Sequence, residues 1–419
     1  MAKSKLIISF LFLLSFFITF ANPLSAEGTE IYPGQSIQLA INEATSPATV
    51  FIHAGTYTED IFMKSGVTVQ GESYGMVTLK GRVFFEDVTC TLKEVTISFP
   101  QSSLLSYSNT HYTNWKLVAD AGITAINSVP TIQNCVIKPD LEAINNLHPE
   151  TPPLEYYGKA IQIWNMYENP AAAPQIEGNL IRDTDCGIYY FSQSFGGAIC
   201  GDVNNNTFYH NKIGVLLRMH KENPHIYNNI FHSCAENIIH HTYETSDLSP
   251  SRTSILNNNL LWDYSIQGWL DETSTEFSIA GVNNNIENDP GFIGLDDGSF
   301  YLSEDSPCLG VGEGGNDIGA YPVDLQYPSL TVIAPAKNRL VGQLAVDISG
   351  TVSDDNGILY VFVNSNSATV SGTTFEISGF SLNYGFNDIN ITATDMAKQS
   401  TIEPKPIYVF RAPVAPPAQ

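Results

Sequence analysis

The chain has 419 residues, with 43 acidic against 19 basic side chains and a formal charge of −24, and it is long enough for two or three domains and a substantial core. A surface this negative excludes nucleic acid and anionic lipid as general partners, since neither gains from counterion release onto an acidic protein. A polyanionic substrate requires a local positive patch.

The elements follow in chain order. Lys3 and Lys5 precede an uncharged run from Leu6 to Ala26, broken by Asn22-Pro23, with small residues at Ala21 and Ser25-Ala26. This predicts a signal peptide over 1–26. The competing reading, an uncleaved anchor, is disfavoured by the run's marginal length and by Pro23. No later segment is apolar enough to span a bilayer, so no membrane insertion is expected after cleavage. The mature protein is expected to be secreted, extracellular or on the cell surface, with the periplasm as the alternative. Ser36 to Ala44 has the pattern of a short amphipathic helix with Ser36 as N-cap. Short apolar strands follow at Val50–Ile52, Val67–Val69, Val77–Leu79, Val83–Phe85 and Val95–Ile97, with a turn at Ala54–Tyr57. A solenoid needs its exposed end covered, and the helix can do that.

Repeats then set the architecture. One phrase recurs at Ile132–Ile137, Ile176–Ile181, Val203–Phe208, Ile226–Phe231, Ile255–Leu260 and Val282–Ile286, nearly always around Asn-Asn or Gly-Asn. Between the copies a glycine precedes a short apolar strand: Gly122, Gly158 to Ile161, Gly187, Gly214 and Gly268, with Asn237-Ile238 in that place once. Ile181 to Ile188, Phe208 to Val215 and Phe231 to Ile238 are each seven residues apart. Each unit is therefore one coil of a solenoid with parallel strand pairing, and the aligned asparagines are expected to stack as a ladder that satisfies backbone groups at the turn. After a linker with Pro322 and Pro328, alternating strands at Leu330–Ile333, Leu344–Val352, Ile358–Val363, Thr374–Ile377 and Ile389–Thr394 are spaced like a β-sandwich. The six cysteines (Cys90, Cys135, Cys186, Cys200, Cys234, Cys308) have no regular spacing and no zinc-ligand pattern. They are expected to be small core residues or free thiols, with no pairing specified.

On the residues Pro33–Gln38, Gly55–Glu59, Asp289–Phe292, Ser306-Pro307 and Asp317–Tyr321 the chain resembles the pectin-lyase-like right-handed parallel β-helix family, over about residues 29–322. Pro33–Gln38 with Gly55–Glu59 resembles that family's N-terminal cap, and Asp289–Phe292, Leu302, Ser306-Pro307 and Asp317–Tyr321 together resemble its closing coil. Gly385–Asp395 resembles the late strand of bacterial immunoglobulin-like domains. The resemblance implies an all-β fold: signal peptide 1–26, a right-handed parallel β-helix with a capping helix over 27–322, an immunoglobulin-like β-sandwich over 328–412 and a disordered tail over 413–419. This scaffold hosts lyases, hydrolases, epimerases and adhesins alike, so function must come from the site.

The coil register nominates that site. With Ile161, Ile188, Val215 and Ile238 inward, alternation sends a first row outward, Thr124, Gln162, Tyr189, Leu216, Ile239 and Leu270, and a second, Trp164, Phe191, Arg218, His241 and Glu272. Aromatics, a fixed cation, an imidazole and a carboxylate on adjacent coils suit a sugar polymer. The bland alternative is an ordinary mixed surface, and a one-residue slip turns the row inward. Six of nine histidines (His210, His220, His225, His232, His240, His241) lie nearby in sequence with Lys212, Arg218 and Lys221, an island able to become basic. Histidines capping solenoid turns would account for His210 and His232.

For a uronate lyase, Arg218 neutralises the carboxylate, His241 is the base, and Tyr189, His220 or Lys221 is the acid, while Trp164, Phe191, Gln162 and Glu272 contact the sugar. A hydrolase needs paired carboxylates instead, for which Asp183 with Asp185 and Asp271 with Glu272 are candidates. The paired-Asp, His and Arg-x-Lys set of polygalacturonases and the Asp-Pro-His-Asp motif of alginate epimerases are absent. The sequence specifies no cofactor with certainty; calcium is the possibility it offers, at Asp183 and Asp185 or at Asp354, Asp355 and Asp395. Tyr156 and Tyr157 form either a groove wall or a packed loop. The expected partner is a polysaccharide or cell-surface glycan, bound by a monomer. The alternative is a non-enzymatic adhesin in which the solenoid is a rigid rod.

Overall fold

The computed structural model describes residues 28–402 except 101–120, 148–154, 166–172, 193–198, 219–223, 242–255, 271–274, 296–298, 336–344, 355–356 and positions 74, 323, 325, 384 and 386. The signal-peptide segment and the C-terminal tail lie outside the described residues. Three nine-stranded sheets, here A, B and C, run the length of the first part, and nearly every neighbouring pair is parallel. Each coil contributes one strand to each sheet in the order A, B, C, giving a right-handed parallel β-helix. Successive coils read Gln175–Glu177, Leu180–Arg182 and Cys186–Ser192; Asp202–Asn204, Thr207–Tyr209 and Ile213–Arg218; His225–Tyr227, Ile230–His232 and Glu236–His241.

The fold follows from a one-sided pattern. Val69, Leu92, Ile132, Ile176, Val203 and Ile226 from sheet A meet Ile123, Ile161, Ile188 and Val215 from sheet C in one continuous, fully buried core. The helix Ile37–Glu43 closes the N-terminal end. Ser36 Oγ accepts from Leu39 N at 3.2 Å, and Glu59 accepts from Ile37 N at 2.7 Å, which satisfies N–H groups with no partner inside the helix.

The Asn phrase has two separate jobs at the corner between sheets A and B. Its first member takes positive φ: Asn134 52°, Asn205 52°, Asn228 56° and Asn258 54°, with Gly178 in the same place at 66°. Its second member is buried and forms the ladder Asn179–Asn206–Asn229–Asn259–Asn285. Each Oδ1 accepts from the backbone N–H and side-chain amide of the asparagine one coil earlier, at 2.8–3.0 Å. Cys135 N–H donates to Asn179 Oδ1 at the head of the ladder.

The segment resembling a closing coil does not add one. After an antiparallel pair, Phe292–Gly294 with Ser299–Leu302, the chain runs back along the same corner. The first-member asparagines hold it there. Asn258 Nδ2 donates to Val311 O (3.0 Å), Asn228 Oδ1 accepts from Glu313 N (2.7 Å), and Asn205 Nδ2 donates to Asp317 O (2.8 Å).

Downstream, two four-stranded antiparallel sheets share a second core of Ile348, Val352, Val361, Val363, Phe375, Ile389, Ile391 and Ala393. Their strands, Ser329–Ala334, Ala345–Ser353, Ile358–Val363, Thr374–Ser381 and Ile391–Asp395 among them, overlap those expected from alternation. The two parts touch: Phe300, Tyr301 and Tyr321 cluster with Val136, Leu180 and Ala397, and Ser299 Oγ donates to Met396 O at 3.1 Å. The six cysteines form no disulfide, and five are buried. Burial pushes the thiols of Cys90, Cys135, Cys234 and Cys308 up to about 12, so they are inert core residues. Among the described residues no helix is long and apolar enough to cross a membrane.

Candidate functional site

The outer face of sheet C carries both rows in the register derived from the sequence, over most of their length. Phe62, Phe84, Thr124, Gln162, Tyr189, Leu216 and Ile239 are consecutive partners, and so are Ile126, Trp164, Phe191, Arg218 and His241. The far end departs by one residue. Ile239 pairs with Trp269, and Leu270 pairs with His240, so Trp269 rather than Leu270 continues the first row. Gly268 stands opposite Ile238, an inward position, and is not the counterpart of Gly214. Its missing side chain makes room for the Phe277 ring, which a Cβ there would meet at 2.3 Å.

The two rows differ in access. Thr124, Gln162 and Tyr189 are 5, 2 and 7% exposed although they face away from the core. Gln162 is therefore covered rather than presented to solvent. Trp164 and Phe191 are half-buried and Arg218 is exposed. These side chains meet one another. The Trp164 and Phe191 rings are 5.1 Å apart, and Tyr189 stacks parallel to Phe191 with centroids 6.4 Å apart. Arg218 Nη1 donates to Tyr189 Oη at 3.3 Å, and Lys159 Nζ lies 5.4 Å from the centre of the Tyr189 ring. The Trp164 indole N–H is buried with no acceptor. The cluster thus joins an aromatic surface to two cations, one fixed by a phenol, on three successive coils (Lys159–Asn165, Cys186–Ser192, Ile213–Arg218).

The other nominated residues separate. His241 shares the row with Arg218 by backbone register, and its side chain lies outside the described part, as do His220, Lys221, Asp271 and Glu272. Of the histidine island in the sequence, the three members whose side chains are described, His210, His225 and His232, stand at different places on the coils. His210 stands at the corner between sheets B and C at φ 50°, with Nδ1 2.9 Å from Asp183 Oδ1. His225 is on sheet A, stacked on Tyr227 and 3.0 Å from Asn257 Oδ1. His232 is on sheet B, bonded to Ser233 Oγ at 2.8 Å, and burial lowers its pKa. Asp183 and Asp185 are both engaged in the frame: Arg182 Nε (2.6 Å) and His210 take the two oxygens of Asp183, while Asp185 Oδ2 accepts from Gly158 N at 2.9 Å. The frame thus holds both oxygens of Asp183 and one of Asp185, whose side chain is exposed. Tyr156 packs on His210 at 4.7 Å and Tyr157 against the core, so these two residues of the insertion are packed.

Sequence reasoning missed Lys159, which meets the Tyr189 ring of the next coil only through the parallel pairing of the two strands. It also missed Asp324, whose importance appears below.

Among solved structures, a pectin methylesterase mutant in complex with a hexasaccharide aligns at 10% identity over 60% of this chain and 83% of its own, with a TM-score of 0.23. A Geobacillus virus E2 protein, ORF18, aligns at 10% identity over 90% and 75%, with a TM-score of 0.18. No curated protein sequence matches. The profile of glucodextranase domain B matches residues 328–409, which coincide with the two antiparallel sheets. A second profile, DUF1565, described as a protein of unknown function, matches residues 21–265. Because that match spans more than half of the 419 residues, the protein belongs to the DUF1565 family.

Proposed function

We propose that this is an exported β-helix protein that binds an acidic polysaccharide along the outer face of sheet C. The observation that carries the reading is the in-register contact of Trp164, Phe191 and Tyr189 with Arg218 and Lys159. Sugar rings stack on aromatic faces, and a guanidinium already oriented by a phenol is suited to a uronate carboxylate. Since the chain as a whole is acidic, affinity must come from short-range contacts at this cluster rather than from its overall field.

β-Elimination is the enzymatic extension of the same geometry. Arg218 would stabilise the charge that develops on the carboxylate as His241, next in its row, takes the adjacent C–H proton, and the Tyr189 hydroxyl would give its proton to the departing glycosidic oxygen as the C–O bond breaks. In this reading the signal-like segment exports the chain, and an immunoglobulin-like C-terminal domain spaces or attaches it.

The test is binding to a panel of uronate and neutral polymers, with ultraviolet absorbance followed in parallel. Preferential binding of uronates, weakened about tenfold or more by Arg218→Ala, is expected, since a charge-assisted hydrogen bond contributes roughly 1.5–3 kcal/mol. Equal binding of neutral polymers, or an unaffected variant, would sink the proposal. A rise in absorbance assigns lyase activity; binding without it leaves a non-catalytic binder.

A further inference from the structure

The junction between the β-helix and the two antiparallel sheets brings together three carboxylates from three separate stretches of chain. Asp324 comes from the connection after the returning segment, Asp354 directly follows the strand Ala345–Ser353, and Asp395 ends the strand Ile391–Asp395. One oxygen from each lies within 4.8 Å of the others. The sequence nominated Asp354, Asp355 and Asp395 for calcium; Asp355 lies outside the described residues, and Asp324 supplies the third carboxylate instead.

Acidic clusters are common, so proximity alone decides nothing. Here a second observation points to a ligand. Asp395 is completely buried. Its Oδ1 accepts from Gln399 N at 2.8 Å, but its Oδ2 has no donor. Asp324 Oδ2 and Gln399 Oε1 are likewise buried without a donor, although Gln399 Nε2 is tied to the Asp324 carbonyl. Three unsatisfied oxygens are thus grouped around residues bonded to one another, and a buried acceptor left without a donor is destabilising. Burial raises the Asp395 carboxyl to about 6, and the charges of Asp354 and Asp324 push it the same way. The neighbouring cation, Lys398, lies against Gly294 of the closing antiparallel pair. Buried oxygens in excess of the donors that reach them, with negative charge concentrated, match the preference of a hard divalent cation for oxygen ligands.

We propose that Asp324, Asp354 and Asp395, with Gln399 Oε1, form a calcium site that fastens the C-terminal sheets to the β-helix. Calcium rather than magnesium fits ligands drawn from a connection and two strand ends, because calcium accepts six to eight oxygens in irregular geometry. The turn that follows Asp395 is the one that contacts the β-helix through Met396 and Ala397. Filling the site therefore orders the interdomain contact.

The experiment is calorimetric titration of the full chain with calcium chloride after chelation, with thermal unfolding recorded alongside. The expected result is one ion per chain at this site, with a dissociation constant of about 1 mM or tighter, and a rise in the unfolding temperature. Asp354→Asn and, independently, Asp324→Asn are expected to weaken binding at least about tenfold while far-ultraviolet dichroism stays that of the parent; two changes at different chain positions guard against one failing to fold. Magnesium should bind more weakly. No heat and no thermal shift at calcium well above that concentration, or parental affinity in both variants, would overturn the assignment.

Discussion

The ladder makes a quantitative demand on stability, and Asn229→Ala tests it most directly. Asn229 is fully buried and sits in the middle of the stack. Its Oδ1 accepts from Asn206 N (2.9 Å) and Nδ2 (3.0 Å), and its Nδ2 donates to Val203 O, Tyr227 O and Asn259 Oδ1 at 2.8–3.0 Å. Truncation leaves the Asn206 backbone N–H and the Val203 carbonyl buried without these partners. Asn206 Nδ2 still reaches Ile176 O and Asn204 O. Two orphaned groups at about 1–3 kcal/mol each, with a small cavity term, give a loss of roughly 3–5 kcal/mol. That is a large share of the 5–15 kcal/mol a domain usually has. Urea unfolding followed by circular dichroism should show a lower midpoint at nearly constant slope. Asn206→Ala should cost a comparable amount, and the double variant less than the sum, because both report on one shared rung. A loss below about 1 kcal/mol, or strict additivity, would show that the ladder does not carry this load.

Two further perturbations act on buried polar groups outside the ladder. Asn237 is fully buried with neither amide atom bonded, in the row where Ala160, Gly187 and Gly214 precede it; Asn237→Ala should stabilise the protein by about 1–3 kcal/mol, and a lower unfolding temperature would contradict this. Burial lowers the pKa of His232, so the unfolded chain takes up its proton first. The stabilisation is complete above the unfolded value near 6.5 and declines as pH falls through the folded value. The parent should therefore lose more stability than His232→Gln between about pH 7.5 and 5; identical slopes would remove His232 from the account.

The β-helix was legible because its corner chemistry is written twice per coil. An asparagine or glycine takes positive φ and the next asparagine is buried in the ladder, so the phrase marks both the turn and the register. The second row on sheet C was legible for a related reason. Three residues separate Arg182 from Cys186, Tyr209 from Ile213 and His232 from Glu236, so alternation could be carried from coil to coil without slipping. It failed at Gly268, where a ring from the antiparallel strand Thr275–Phe277 fills the space an inward side chain would occupy, which no local pattern signals. The histidines misled for a geometric reason. One coil takes 23 residues from Val203 to Ile226, so neighbours seven or eight apart already stand on different faces. Asp324 was hidden because only tertiary packing carries it to Asp354 and Asp395.

The same regularity explains why ligand chemistry belongs on sheet C. At the A–B corner two residues separate Lys93 from Thr96, Gln133 from Val136, Glu177 from Leu180, Asn204 from Thr207, Tyr227 from Ile230 and Asn257 from Leu260. An insertion there would break the ladder and release the returning segment that Asn205, Asn228 and Asn258 hold. The long connections fall elsewhere: Phe99 to Ala121 and Pro139 to Lys159 enter sheet C, while Asn165 to Gln175, Ser192 to Asp202 and His241 to Leu256 leave it. Sheet C is therefore the face whose outgoing edge, and at two coils the incoming edge too, is bounded by long connections, while its inner side is fixed by the core. A rigid floor between variable edges is how a solenoid acquires specificity without losing its frame. Trp164, Phe191 and Arg218 stand near the outgoing edge of that floor, and the strands of Trp164 and Phe191 lead directly into two of those connections.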